Sequence, residues 1–103
     1  MANNSESKGE IHEKIREEIK EPDQYRILLH NDHYTTMEFV VEILRGIFHK
    51  TLPEATQIML DVHKKGRGIV GVYTYDIART RIDLVDKLSR ENEFPLKCTM
   101  EKA

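Results

Sequence analysis

The stretch "LLHNDHYTTMEFVVEIL" crowds Asn31, Asp32, His33 and Tyr34 between a short apolar run and the start of a helical pattern. Asn and Asp bond their own backbone in turns and tolerate unusual φ/ψ, and loops on rigid scaffolds are where binding groups sit. Farther along, "IMLDVH" places Met59, Val62 and His63 at i, i+3 and i+4, so the three share one helix face. That face can close on the strand-to-helix turn. Asn31, Asp32 and His63 would then rim an apolar hollow built from Met37, Val40, Met59, Val62 and Leu96, which is a binding pocket. The plainer reading makes those five apolar residues ordinary core and the polar ones an ordinary turn, and composition alone favours it.

Other groupings carry less. "GRGIVG" at Gly66 to Gly71 matches the dinucleotide fingerprint letter for letter. That fingerprint needs a strand before it and a helix after it, whereas here a helix precedes and a strand follows. The glycines serve a helix cap and a close backbone approach. His30, His33, His49 and His63 with Asp32 and Asp61 could be gathered into a metal site, but no paired Cys or His-x-x-x-His helix motif completes a tetrahedral set. No cofactor and no metal is expected. Cys98 alternates with charged neighbours on a strand pattern and reads as a small buried apolar group, not as a nucleophile for His63.

Which elements position the pocket? "YRILLH" is a strand rich in Ile, Leu and Tyr. Thr35 with Glu38, and Thr51 with Glu54, read as capping boxes that open two helices, and Pro53 is tolerated in the first turn of the second. The first helix carries Met37, Val40, Val41, Ile43, Leu44, Ile47 and Phe48, a stripe wide enough for a central core helix. The second carries Ala55, Ile58, Met59 and Val62, holds His63 in its last turn, and stops at Gly66 in the left-handed cap position. "IVGVYTY" is a β-branched strand. Ile77, Ala78, Ile82, Val85 and Leu88 then recur at helical spacing until Pro95 forbids continuation. The closing "PLKCTMEK" alternates Leu96, Cys98 and Met100 against Lys97, Thr99 and Glu101. The order β-α-α-β-α-β predicts an α+β fold, a small sandwich in which three helices pack on one face of a three-stranded antiparallel sheet.

Residues 25–103 form the core domain on this reading. Residues 1–24 form a polar, densely charged arm in which Ile11, Ile15 and Ile19 recur at i, i+4 spacing. The arm buries too little surface to offset its ordering entropy; a nascent helix over 10–20, closed by Pro22, is expected. At 103 residues with 39% hydrophobic content, one core is affordable and two are not. A net charge of −2 lacks the basic excess that phosphate binding requires, so nucleic acid is not an expected partner. No apolar run approaches the roughly 20 residues of a membrane helix, and the start has no signal-peptide core. The single cysteine fits a reducing compartment, and a cytoplasmic location is expected.

Three separated motifs, "YRILLHNDHYTTMEFVVEIL", "ATQIMLDVHKKGRGIVGVYTYDIA" and "ENEFPLKCTMEK", occur in the order found in the ClpS family, the adaptors of the bacterial ClpAP protease. The chain resembles that family over about residues 24–103. The resemblance implies a non-enzymatic N-degron adaptor that binds proteins through a free N-terminal Leu, Phe, Tyr or Trp and delivers them to the ClpA-type AAA+ unfoldase. It implies α-amino contacts at Asn31, Asp32, His33 and His63, and a side-chain pocket of Thr35, Met37, Val40, Met59, Val62 and Leu96. Asp76 and Arg81 fall on the family's unfoldase-docking surface, and residues 1–24 on its mobile arm. Most relatives read Asn-Asp-Asp where this chain has His33 third. Two other classes fit the architecture, a small RNA-binding module and a ribosomal-stalk-like interaction domain. Charge disfavours the first, and the second would leave the pocket empty.

Overall fold

The computed structural model describes residues 21–103, so the nascent helix expected over residues 10–20 lies outside the described residues. The apolar run of the first strand occupies the middle of the sheet. β1 (Gln24–His30) pairs antiparallel with β2 (Arg67–Thr74) on one side and with β3 (Lys97–Lys102) on the other. Side chains alternate across a strand. Tyr25, Ile27 and Leu29 accordingly face the core, while on the other face Arg26 reaches Glu101 at 3.0 Å and His30 Nε2 lies 2.7 Å from Thr99 Oγ1.

β2 breaks that alternation once. Its register skips Val70, so that Ile27 pairs with Gly71 but Leu28 pairs with Ile69. An extra residue reverses the phase of the strand, and both Tyr73 and Val70 can then turn toward the core.

Between β1 and β2 run α1 (Met37–Gly46) and α2 (Leu52–Lys65); between β2 and β3 runs α3 (Tyr75–Glu91). α3 lies against all three strands, α2 against β2, and α1 against α2. This is the expected α+β order. The stripes of α1 and α3 supply seven of the sixteen buried residues of the core, in which Ile27, Leu29, Ile43, Leu44 and Val85 are fully buried.

Helix ends follow local chemistry. Thr51 and Glu54 form the expected capping box: Thr51 Oγ1 accepts from Glu54 N at 3.3 Å, and Glu54 Oε1 accepts from Thr51 N at 3.1 Å. α2 ends as expected at Gly66, whose φ of 87° is cheap only without a Cβ. The Thr35/Glu38 box does not form. Thr36 is the cap, its Oγ1 accepting from Phe39 N at 3.1 Å, because Thr35 is bonded elsewhere. α1 also stops at Gly46; Ile47 and Phe48 remain buried, but the chain reverses at His49, whose φ is 54°. Among the described residues no helix is long and apolar enough to cross a membrane.

Candidate ligand-binding site

The element that builds the site is the six-residue link between β1 and α1. Asp32 organises it. Its Oδ1 accepts from the backbone N–H groups of Tyr34 at 2.8 Å and Thr35 at 2.6 Å, and its Oδ2 accepts from Thr35 Oγ1 at 2.6 Å. Burial pushes the Asp32 carboxyl toward the neutral form, but these three hydrogen bonds, with His33 nearby, outweigh it and hold the carboxyl below the ordinary aspartate range. An ionised carboxylate has about four acceptor positions. Three are taken by the turn, which leaves Asp32 as a fixed negative charge with one free position.

The far wall is fixed from the other side. Asn31 N–H donates to Gly66 O at 2.9 Å, which ties the end of β1 to the residue that caps α2. His63 stands one turn before that cap, so the bond brings Asn31 and His63 to the same opening. α2 can lie this low on the sheet because of Gly68. A Cβ there would stand 2.8 Å from Val62 Cγ2 and 3.0 Å from Ile58 O.

Between the turn and α2 lies a cavity of about 430 Å³, within the range of small-ligand sites. Its polar rim is Asn31, Asp32, His33 and His63, and its apolar wall is Met37, Val40, Met59 and Val62, with Thr35 between them. Val40 and Val62 are buried and Met59 is half-buried, while Met37 is 43% exposed at the mouth. Unbranched thioether chains at the wall and mouth can repack around ligands of different shape. Asp32 and Glu38 are the acidic side chains of the lining, and no Lys or Arg lines it among the described residues. The field inside favours a cation.

Nine of the ten residues read from the sequence as pocket-forming thus meet at one opening. Leu96 does not line it. It is buried in the same apolar core as Val40 and Val62, but it precedes β3, at the sheet edge opposite the one α2 covers, and borders a separate hollow with Ser89, Phe94 and Pro95. Two lining residues were not anticipated, Thr36 and Glu38. The sequence pattern makes Glu38 a capping partner of Thr35, and the shift of the cap to Thr36 leaves its side chain at the cavity.

Asp76 and Arg81 lie away from this cavity on α3, around a shallow hollow of about 240 Å³ shared with Ile77 and Thr80. Arg81 is held in place: Nη1 donates to Ile47 O at 3.2 Å and the guanidinium sits 5.1 Å from the centre of the Tyr73 ring. Cys98 is buried, and burial, with Asp86 adding to it, pushes its thiol up to about 12. It is a packing group at neutral pH, as expected.

Comparison with known proteins agrees with this geometry. The family model described as the ATP-dependent Clp protease adaptor protein ClpS matches residues 20–99. An adapter of that name from Acetivibrio thermocellus is 62% identical over 84 residues, covering 82% of this chain and 85% of the relative. Its counterpart from Syntrophus aciditrophicus is 56% identical over 93 residues, covering 90% and 87%. The solved structure of Agrobacterium tumefaciens ClpS2 bound to L-phenylalaninamide superposes with a TM-score of 0.77 at 34% identity, covering 81% of this chain and all of that one. Sequence, fold and a cavity built from the turn and α2 lead to one conclusion: the chain belongs to the ClpS family of ATP-dependent Clp protease adaptor proteins.

Proposed function

We propose that the cavity captures the N-terminal residue of a polypeptide, reading a free α-amino group and a Leu, Phe, Tyr or Trp side chain together. The observation that carries this reading is the division of the lining into a polar, acidic rim and an apolar wall. An α-amino group has a pKa near ~8 and at neutral pH is mostly a cation with three donors. Asn31 Oδ1, the remaining position on Asp32 and a ring nitrogen of His63 can accept them. An internal peptide N–H offers one donor and no charge, and would leave acceptors unpaired at a cost of about 1–3 kcal/mol for each buried group. L-phenylalaninamide, the ligand of the Agrobacterium relative, combines a free amine, an apolar ring and an amide where the next residue would begin.

The protein then acts by binding and delivery, without catalysis, as an N-degron adaptor in the cytoplasm. Asp76 and Arg81 dock a ClpA-type AAA+ unfoldase, and the bound substrate passes to its protease. Family membership supports the adaptor role, and the fixed position of Arg81 suits a docking contact.

Titration of L-phenylalaninamide into 15N-labelled protein tests the site. The expected shifts fall on Asn31, Met37, Met59 and His63. Shifts confined to α3 or to the outer face of the sheet would contradict the assignment.

A further inference from the structure

We infer that the open face of the sheet carries an anion site of its own, in which Arg67, His30 and Lys97, standing in a row across the three strands, bind a phosphate group on the side away from the cavity. The register sets the row. His30, the last residue of β1, has Arg67 directly opposite on β2 and Lys97 directly opposite on β3. Residues directly opposite one another project from the same face of a sheet. It is the face that carries Arg26, Glu101 and Thr99, and on it Ile69 and Val72 are 57% and 48% exposed. Gly68, the next residue along β2, faces the other way, toward Val62 and Ile58 of α2.

Folding alone does not call for such a row. Like charges set opposite each other on neighbouring strands destabilise a sheet, yet two cations flank His30 here. Among the described residues neither Arg67 nor Lys97 belongs to an ion pair. Glu101, the carboxylate whose field reaches His30, is taken by Arg26 at 3.0 Å. The His30 ring therefore holds its proton less firmly than an ordinary histidine: burial is the largest cause, Lys97 and then Arg67 add to it, and Glu101 opposes them. An oxyanion reverses that balance. Neighbouring strands lie roughly 4.8 Å apart, so the long Arg67 and Lys97 side chains can close from both sides over the shorter imidazole. As an imidazolium, His30 donates through Nε2 to Thr99 Oγ1, 2.7 Å away; the Thr99 O–H and His30 Nδ1–H are then free to donate elsewhere. A planar guanidinium fork, an ammonium and these smaller donors suit a phosphate dianion better than chloride or a neutral ligand.

The row stands just behind the turn that builds the cavity. His30 and Arg67 are the chain neighbours of Asn31 and Gly66, which are joined at 2.9 Å, and a phosphate on the row would bridge the ends of all three strands there. None of the three basic residues lines the cavity. The anion site is therefore independent of what the cavity holds, and either can fail without the other.

Titration of inorganic phosphate into the full 15N-labelled chain, against sodium chloride at matched ionic strength, tests the site. Phosphate should give saturable shifts at His30, Arg67, Lys97 and Thr99 and move the titration of the His30 ring up toward the ordinary histidine range; chloride, which only screens, should not saturate. Arg67 and Lys97 are exposed, so Arg67→Gln and Lys97→Gln should leave the fold intact, each weakening phosphate binding several-fold and together abolishing saturation. Sulfate, a dianion throughout this range, should bind more tightly at about pH 6 than at about pH 8, because His30 gains its proton on the acid side. Methyl phosphate separates the sources: binding like that of inorganic phosphate assigns the site to a phosphate monoester, and binding of inorganic phosphate alone assigns it to the free ion. Equal shifts in phosphate and chloride, shifts centred instead on Arg45 and Lys50 at the end of α1, sulfate affinity that ignores pH, or unchanged phosphate affinity in the double variant would each overturn the inference.

Discussion

The two helices that follow β1 are entered through links carrying the same sequence signal, a Thr with a Glu three residues on, and the structure treats them differently. At α2 the signal means what it says: Thr51 and Glu54 satisfy each other's backbone groups, and the Thr51 hydroxyl also donates to Glu54 Oε1 at 2.7 Å. At α1 the same pattern is displaced by one residue, because the Asp32 carboxylate has taken Thr35 N–H and Thr35 Oγ1 and left Thr36 to cap the helix. Glu38 is thereby released to the cavity. A local rule is overridden where the backbone is being shaped to hold something, and kept where it only starts a helix.

The largest effect is expected from Asp32→Ala. Three donors lose their acceptor, and the ligand loses its fixed charge. Binding of a Leu-initiated peptide should fall at least about tenfold, from a loss of roughly 1.5–3 kcal/mol typical of hydrogen bonds to a charged group. Fluorescence anisotropy on the folded variant checks it. If affinity stays unchanged, the two links are equivalent and the comparison fails. Thr51→Ala is the counterpart. Loss of the cap should cost about 1 kcal/mol of stability, seen in urea unfolding, with peptide affinity the same as the parent's.

That contrast bears on how much could be read in the sequence. The elements themselves were legible: two short apolar or β-branched runs and one alternating run for the strands, three stretches with helical period, Gly66 as a left-handed cap and the Thr51 box each specify their structure locally. The shared face of Met59, Val62 and His63 was legible too, since helix spacing is a short-range fact; that this face closes on the Asn31 turn is a long-range one, and composition alone favoured ordinary core. The Thr36 cap was not legible, because Thr35 and Thr36 are chemically alike and the choice is made by a carboxylate three residues upstream. The Val70 bulge and the Gly68 contact depend on which strand and which helix lie alongside. Leu96 depends on sheet order: only the sequence β2-β1-β3 shows that β3 and α2 sit at opposite edges.

Acid should sharpen the comparison from another side. Asp32 and Glu54 are both held below the ordinary carboxylate range, Asp32 because its hydrogen bonds outweigh burial, Glu54 chiefly by the Thr51 hydroxyl. A carboxyl depressed in the folded state binds fewer protons folded than unfolded. Its stabilisation is therefore complete above the unfolded pKa, about 3.9 for Asp and 4.3 for Glu, and is lost as pH falls through the lower folded value. The stability difference between the parent and Asp32→Asn should be constant above about pH 5 and shrink in more acidic solution. A difference that grows on acidification would reverse the assignment.

The smallest effect is expected at His33, on the cavity rim. His33→Asp adds a carboxylate beside the site of the ligand amine, a charge-assisted contact worth roughly 1 kcal/mol and screened by salt. Tighter binding at low ionic strength that fades at high ionic strength is the expected pattern. No change at either would mean that His33 serves only the turn.

One measurement addresses the central claim most directly, a calorimetric titration of a Leu-initiated peptide and of its N-acetylated twin. Acetylation removes the charge and two of the three donors while leaving the Leu side chain in place. The rim of Asn31, Asp32 and His63 predicts that the free peptide binds and that acetylation weakens it by about 1–3 kcal/mol or more, roughly fivefold to beyond a hundredfold. Equal affinity for the two peptides would show that the cavity holds an apolar side chain without reading the chain end, and would contradict the account.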